Sequence, residues 1–270
     1  MNPTHISTDQ LGRKVTISLP LQKIVSLVPS QTELLFDLGL DDEVAGITKF
    51  CVHPPEWFRN KTRVGGTKQL NLEKIAALHP DLLIANKEEN TEEQITALAQ
   101  KFPVWISDIQ TLDDACRMIF SVGEMVQKQD RASQLIARIE TSFQSLHFEK
   151  RPPACYLIWK DPLMTVGGDT FIHHLLMQAG FENVFADRRR YPEISAEEIL
   201  EKNPRYLLLS SEPFPFSAKH VHEFQAEFPQ QKIMPVDGEM FSWYGSRLLL
   251  APAYFQNLWN ELDGDAGQFG

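Results

Sequence analysis

Arg247 closes the stretch Ser242-Trp243-Tyr244-Gly245-Ser246-Arg247, and few stretches of this chain combine residue types so suited to recognition. A guanidinium is a planar fork that grips a carboxylate through two parallel hydrogen bonds. The indole of Trp243 and the phenol of Tyr244 add broad, rigid apolar faces. Together they suit a wide, partly apolar ligand with an acidic or polar edge. The other use of Arg247 is a salt bridge that ties the last helix to a lobe. Two further pairs have the spacing of metal ligands. Cys51 and His53 stand two apart and share a face in extended chain, a soft-metal arrangement. Asp169 and His173 are four apart, on one face of a helix. Neither pair has a third member in the sequence, so a buried thiol and a hydrogen-bonded imidazole are the simpler reading. There is no HExxH, GxSxG, P-loop or helix-opening GxGxxG. The residues point to binding, and the expectation is that the chain is not an enzyme.

Composition narrows the partners. The 270 residues are 43% hydrophobic, enough for a sizeable core, and carry a formal charge of −10. That charge argues against nucleic acid as a partner, since such binding displaces counterions with a cationic surface. Arg188-Arg189-Arg190 is the one basic cluster and reads as a solvated loop. Cys51, Cys116 and Cys155 are widely spaced and form no disulfide or zinc framework. No apolar run reaches the ~20 residues of a membrane helix, so the chain is not expected to span one. The first twenty residues contain no run of signal-peptide type.

These side chains need elements to hold them. After a polar arm (1–22), the apolar run at 23–28 reads as a buried strand, stopped by Pro29. Ser30 to Glu33 has the spacing of a capping box, which predicts a helix over 31–38 closed by Gly39. Strands at 43–47, within 71–85 and at 103–109 alternate with helices, including one over 91–102 that opens on another capping pattern. That alternation predicts an α/β lobe over 23–110 with a mostly parallel sheet. Residues 111–149 carry helical periodicity only, with a break near Gln127–Asp130, and read as a stiff connector. Alternation resumes in a second lobe over 150–262: a strand at 155–159, a helix ending at Gly180, helix then strand in 195–210, a helix over 217–228, a strand at 232–236 and a last helix within 247–262. A tail occupies 263–270. Leu248–Leu250 and Tyr254 read as the start of that last helix, with Pro252 in its first turn, whereas Asp237–Arg247 reads as a loop at a ligand rim.

The lobes repeat each other. Glu73 precedes Pro80 by seven residues and Glu197 precedes Pro204 by seven; in both cases a leucine-rich run follows. Each lobe has a helix closed by glycine and a Gly-Gly pair, at 65–66 and 167–168. Two similar lobes joined by a stiff helical segment predict a ligand cleft between them.

From about Thr8 to Leu262 the chain resembles the helical-backbone metal-receptor family, the substrate-binding proteins of ABC importers for cobalamin, iron-siderophores and haem. The stretches that carry the resemblance are 11–15, 23–39, 64–85, 182–200 and 246–258, with the helical connector. The resemblance implies two α/β lobes, a long rigid connecting helix, and a monomer with no permanently bound cofactor. Its ligand would be cobalamin or another metal chelate. The implied ligand loops match Pro29, Ser30, Phe50, Cys51, Tyr191 and the stretch ending at Arg247. Cobalamin-binding members often have Trp at the positions of Thr67 and Asn86; here Trp159, Trp243 and Tyr244 are the candidate replacement surface. Lys49, Lys68 and Lys160 are cations near the same loops. Glu73 and Glu197 match the acidic residues through which such proteins dock on a permease dimer, a two-fold arrangement; apart from the resemblance they are first-turn glutamates suited to a helix's positive end. The implied location is periplasmic or at the cell surface. The alternative, taken from the missing export signal, is a cytoplasmic protein or enzyme that handles a corrinoid or metal chelate.

Overall fold

Apolar β-branched runs become short parallel strands, and the computed structural model describes them within residues 3–266. The chain divides into two compact units. The first comprises residues up to Ile109, Asp113–Arg138 and Tyr244–Arg247; the second comprises Gln110–Leu112, Ile139–Trp243 and the chain from Leu248 onward.

In the first unit, β1 (Thr4–Thr8) and β2 (Lys14–Ser18) form an antiparallel hairpin. The expected polar arm is corrected here: Val15 and Ile17 alternate inward and are buried. Next come β3 (Ile24–Ser26), α1 (Pro29–Asp37), β4 (Val44–Ile47), α2 (Pro55–Asn60), β5 (Thr62–Arg63), α3 (Leu72–Leu78), β6 (Leu82–Asn86), α4 (Glu92–Ala99) and β7 (Val104–Ser107). The five strands β5-β4-β3-β6-β7 pair in parallel. The chain runs outward in both directions from the boundary between β3 and β6, the switch point where α/β sheets bind ligands at their strands' carboxyl ends. Val25, Leu83, Ala85, Val104 and Ile106 build the core on one sheet face with Ile75, Ile95 and Leu98 from the helices.

The helical segment is two helices, α5 (Leu112–Met125) and α6 (Gln129–Gln144), parted where the sequence loses its apolar stripe. Gln127 adopts φ 57 at the break. Ala115, Met118, Ile119, Val122 and Met125 form the buried face of α5 at helical spacing. Gly123 permits close approach of α6, since a Cβ there would lie 2.4 Å from that of Ala132.

The second unit holds β8 (Pro153–Leu157), α7 (Phe171–Gln178), β9 (Glu182–Asn183), α8 (Ala196–Lys202), β10 (Tyr206–Ser210), α9 (Ala218–Glu227) and β11 (Lys232–Val236). Its sheet is parallel in the order β11-β10-β8-β9, with a switch point between β8 and β10. Then follow α10 (Glu239–Ser242), a 3-10 turn (Ser246–Leu249) and α11 (Ala251–Ala266). Trp259 anchors α11: its indole donates to the Ala179 carbonyl at 2.7 Å and stacks between Phe148 and Phe181. Because α11 reaches Ala266, the expected tail over 263–270 begins as helix; 267–270 lie outside the described residues.

The internal repeat is structural. Asn71 and Ser195 cap α3 and α8 through their side chains, and His79 and Asn203 end these helices in left-handed conformation before Pro80 and Pro204. Both capping readings at 30–33 and 91–94 are corrected. Pro29 takes the first helical position of α1, so Ser30 lies inside the helix and caps nothing. Thr91 is the N-cap of α4, yet its hydroxyl donates to Gln94 Oε1 rather than accepting from a backbone amide.

Candidate ligand-binding site

Parallel strands bring every following loop to one edge of a sheet, and the candidate residues follow that edge. In the first unit, Pro29 and Ser30 follow β3, Phe50 and Cys51 follow β4, and Thr67 follows β5. A buried amide scaffold fixes these loops. Asn90 Nδ2 donates to the carbonyls of Leu27 (3.2 Å) and Thr67 (3.1 Å), which joins the loops after β3 and β5. Asn86 Oδ1 accepts from the Glu88 and Glu89 amides at 2.8 and 3.0 Å, and its Nδ2 donates to Ser107 Oγ at 3.0 Å. Gln31 Nε2 donates to the same hydroxyl at 2.6 Å. Asn86 and Thr67 are therefore buried structural residues rather than open rim surface. Phe50, 50% exposed, is the large aromatic of this rim. Lys68 is engaged, donating to the Glu88 carbonyl.

In the second unit, Trp159 follows β8 and Tyr191 lies on the loop after β9. Trp159 is 38% exposed and packs edge-on to Phe214, ring centroids 5.5 Å apart, so it stands at the switch point between β8 and β10. Lys160 pairs with Glu223. Sequence reasoning missed a cavity of about 450 Å³ at the carboxyl ends of β10 and β11, lined by Leu209, Ser211, Phe216, Val236, Asp237 and Glu239. The signal for it was indirect: Asp237 and Glu239 come directly after the valine-ended strand β11.

The open aromatic wall expected of Trp243, Tyr244 and Arg247 is corrected. All three are buried. Trp243 Nε1 donates to Glu212 Oε1 at 3.0 Å, and Ser242 Oγ donates to the same atom at 2.6 Å. Arg247 Nε and Nη2 donate to Glu33 Oε2 and Oε1 at 2.9 and 2.5 Å, the salt bridge that was its alternative use. The aromatics of this stretch fill core.

The metal-pair readings resolve the same way. Cys51 is buried, and its Sγ accepts from Thr32 Oγ1 at 3.1 Å; burial pushes the thiol pKa up, away from the thiolate a metal needs. Asp169 Oδ1 accepts from the Arg190 amide at 2.5 Å, and His173 Nδ1 lies 3.2 Å from Asn183 Nδ2. Burial lowers the His173 pKa, which keeps the ring neutral. Among the described residues, no group of three His, Cys, Asp or Glu is placed to hold a metal ion.

Glu212 is the perturbed acid of the second rim. Burial pushes its pKa up, the charges of Glu239 and Asp237 add to the shift, and the bonds from Ser242 and Trp243 oppose it. A raised carboxyl means that the folded state binds more protons than the unfolded state once pH exceeds about 4.3, so stability is full below that pH and falls as pH rises through the folded value. Glu212→Gln keeps an acceptor for Ser242 and Trp243 and removes the titration. It is expected to be more stable than the wild type at pH 7 and to lose that advantage at pH 4, measured by urea denaturation at both.

The sequence pattern of the periplasmic binding protein family matches residues 24–233. The vitamin B12-binding protein of Salmonella choleraesuis strain SC-B67 is 25% identical over 248 residues, covering 89% of this chain and 91% of its own. Among solved structures, the periplasmic vitamin B12 binding protein BtuF of Vibrio cholerae superposes with a TM-score of 0.73 at 23% identity, covering 88% of this chain and 97% of its own. The periplasmic haem-binding protein HutB of Vibrio cholerae superposes with a TM-score of 0.75 at 20% identity, covering 88% and 98%. The same fold is thus found in proteins named for binding vitamin B12 and for binding haem, so the fold alone does not select the ligand. Among the described residues, no helix is long and apolar enough to cross a membrane.

Proposed function

The chain belongs to the periplasmic binding protein family, as a solute-binding protein rather than an enzyme, and from that premise we propose that it captures a corrinoid or another metal chelate in the periplasm for an ABC importer. The observation that carries the reading is the set of solvent-facing aromatics, exposed Phe50 and Trp159 and half-buried Tyr191, on loops at the carboxyl ends of the two sheets. Flat apolar rings there reward a broad planar ligand with buried area and stacking. Pro29 and Ser30 contribute the floor of the first rim. The ligand is cargo, bound transiently, and the protein works as a monomer.

Thermal unfolding in the presence of cobalamin, haem and ferric siderophores tests this reading. The true ligand at a hundred times its dissociation constant is expected to add about 2.7 kcal/mol of stability. No upward shift with any chelate class would overturn it.

Glu73 and Glu197 are the proposed docking points on a permease dimer. Each is exposed and is the second residue of its helix, so the repeat presents one carboxylate per unit at an equivalent place. The Ser195 hydroxyl holds the Glu197 pKa down, so that carboxylate stays charged. Reversal of both (Glu73→Lys with Glu197→Lys) is expected to abolish stimulation of the importer's ATPase while ligand binding persists. Full stimulation by the double variant would rule these residues out.

A further inference from the structure

Each unit sets a cation against an aromatic neighbour and backs the pair with a Gly-Gly turn. In the first unit, Lys49 Nζ lies 5.0 Å from the ring centroid of Phe50. The Lys49 amide donates to the Gly65 carbonyl at 2.8 Å, and a Cβ on Gly66 would lie 3.1 Å from the Phe50 ring and 3.2 Å from Lys49 Cε. In the second unit, the Arg190 guanidinium lies 5.9 Å from the ring centroid of Tyr191. The Gly167 amide donates to the Arg190 carbonyl at 2.8 Å, and a Cβ on Gly167 would lie 2.5 Å from the Arg188 carbonyl oxygen. The two Gly-Gly pairs of the repeat therefore do the same work, which is to let a cation–aromatic dipeptide lie close against the neighbouring loop.

Lys49 and Arg190 each differ from the other rim cations in one respect. Lys68, Lys87 and Lys160 are engaged by the Glu88 carbonyl, Asp108 and Glu223, whereas Lys49 Nζ rests on its neighbour's ring. Arg190 is held at φ 59, where non-glycine residues are uncommon. Such a cost persists where the side chain has a use. Lys49, Phe50 and Arg190 are exposed and Tyr191 is half-buried.

A cation held over an aromatic face offers ring area and positive charge at one spot. That suits a flat conjugated ligand with carboxylates on its rim. It suits an amide rim poorly, because there the cation loses water without gaining an anion. We propose that Lys49–Phe50 and Arg190–Tyr191 determine specificity and select a planar chelate with a carboxylate rim over an amide-rimmed one. The proposal rests on the chelate-binding reading above.

The test titrates the full chain with iron protoporphyrin, its dimethyl ester and cyanocobalamin, followed by absorbance and tryptophan fluorescence. Wild type is expected to prefer the free acid to the ester by at least tenfold or so, and Lys49→Gln and Arg190→Gln each to weaken acid binding about tenfold while ester binding holds within about twofold. Lys49→Arg should restore the preference. Arg190→Gly relieves the backbone, so it should be no less stable than wild type in urea and still lose the preference, which separates recognition from folding. Equal binding of acid and ester by wild type, or variants that lose both equally, would overturn the proposal. Cobalamin as the one tight ligand would overturn it too, yet leave the chelate-binding reading intact. If neither these three nor a ferric siderophore binds the folded protein, both readings fall.

Discussion

Arg247→Ala is expected to lower the unfolding free energy by about 3 kcal/mol, read from urea denaturation at pH 7. The guanidinium and the Glu33 carboxylate meet through two hydrogen bonds, with side chains only 9% and 16% exposed. Removing the arginine leaves a carboxylate with little water and no counter-ion, and that orphaned charge, rather than the lost attraction, sets the size of the effect. Replacing both partners by apolar residues, Arg247→Met with Glu33→Leu, should therefore recover most of the loss. The cycle should show strong non-additivity. A loss below about 1 kcal/mol would place the pair with ordinary surface bridges and would return Arg247 to the ligand candidates.

The contrast between Arg247 and Phe50 shows what a sequence can disclose about this site. Fold class follows from local signals. Strand runs, prolines after α3 and α8, and the closing glycines Gly39 and Gly180 sit within a few residues of the elements they define. The equivalent helix-start positions of Glu73 and Glu197 were likewise legible, because the same pattern repeats at a fixed distance from a proline. Burial is not local. The partner of Arg247 is 214 residues away, and that of Trp243 is 31. A dense aromatic stretch looks the same in sequence whether it lines a rim or fills core, so the sequence reads Trp243 and Tyr244 as a wall while the structure buries them. The capping box at Ser30 failed for a similar reason: Glu33 had a stronger distant partner, and Pro29 had already taken the first helical position. The hairpin at 4–18 was missed because each strand offers only two inward positions, too few to outweigh the polar residues around them. The cavity beside Asp237 escaped notice because loops far apart in the chain build it.

Gly65→Ala should be among the most damaging single-methyl changes in the first unit, and two other glycines separate its causes. Gly12 has φ +80 with nothing within 4 Å of an added Cβ, so Gly12→Ala carries the backbone penalty alone, about 1–2 kcal/mol. Gly168 has no positive φ, but a Cβ there would lie 2.3 Å from the Ala186 carbonyl oxygen, so Gly168→Ala carries steric overlap alone, about 1–3 kcal/mol. Gly65 combines both: φ +106, with a Cβ 2.4 Å from the Gln69 carbonyl oxygen and 2.8 Å from the Asn71 amide nitrogen. Both neighbours are backbone, so no rotamer change can relieve the overlap. The sum predicts a loss of about 4 kcal/mol for Gly65→Ala in urea denaturation. The Gly65 carbonyl also accepts the Lys49 amide hydrogen, so distortion of this turn reaches the Lys49–Phe50 pair directly. At temperatures where Gly65→Ala is still folded, chelate binding should weaken more than in Gly12→Ala or Gly168→Ala. Equal stability losses in all three variants would mean that the turn after β5 yields to the methyl group, and then it could not be what holds Phe50 in place.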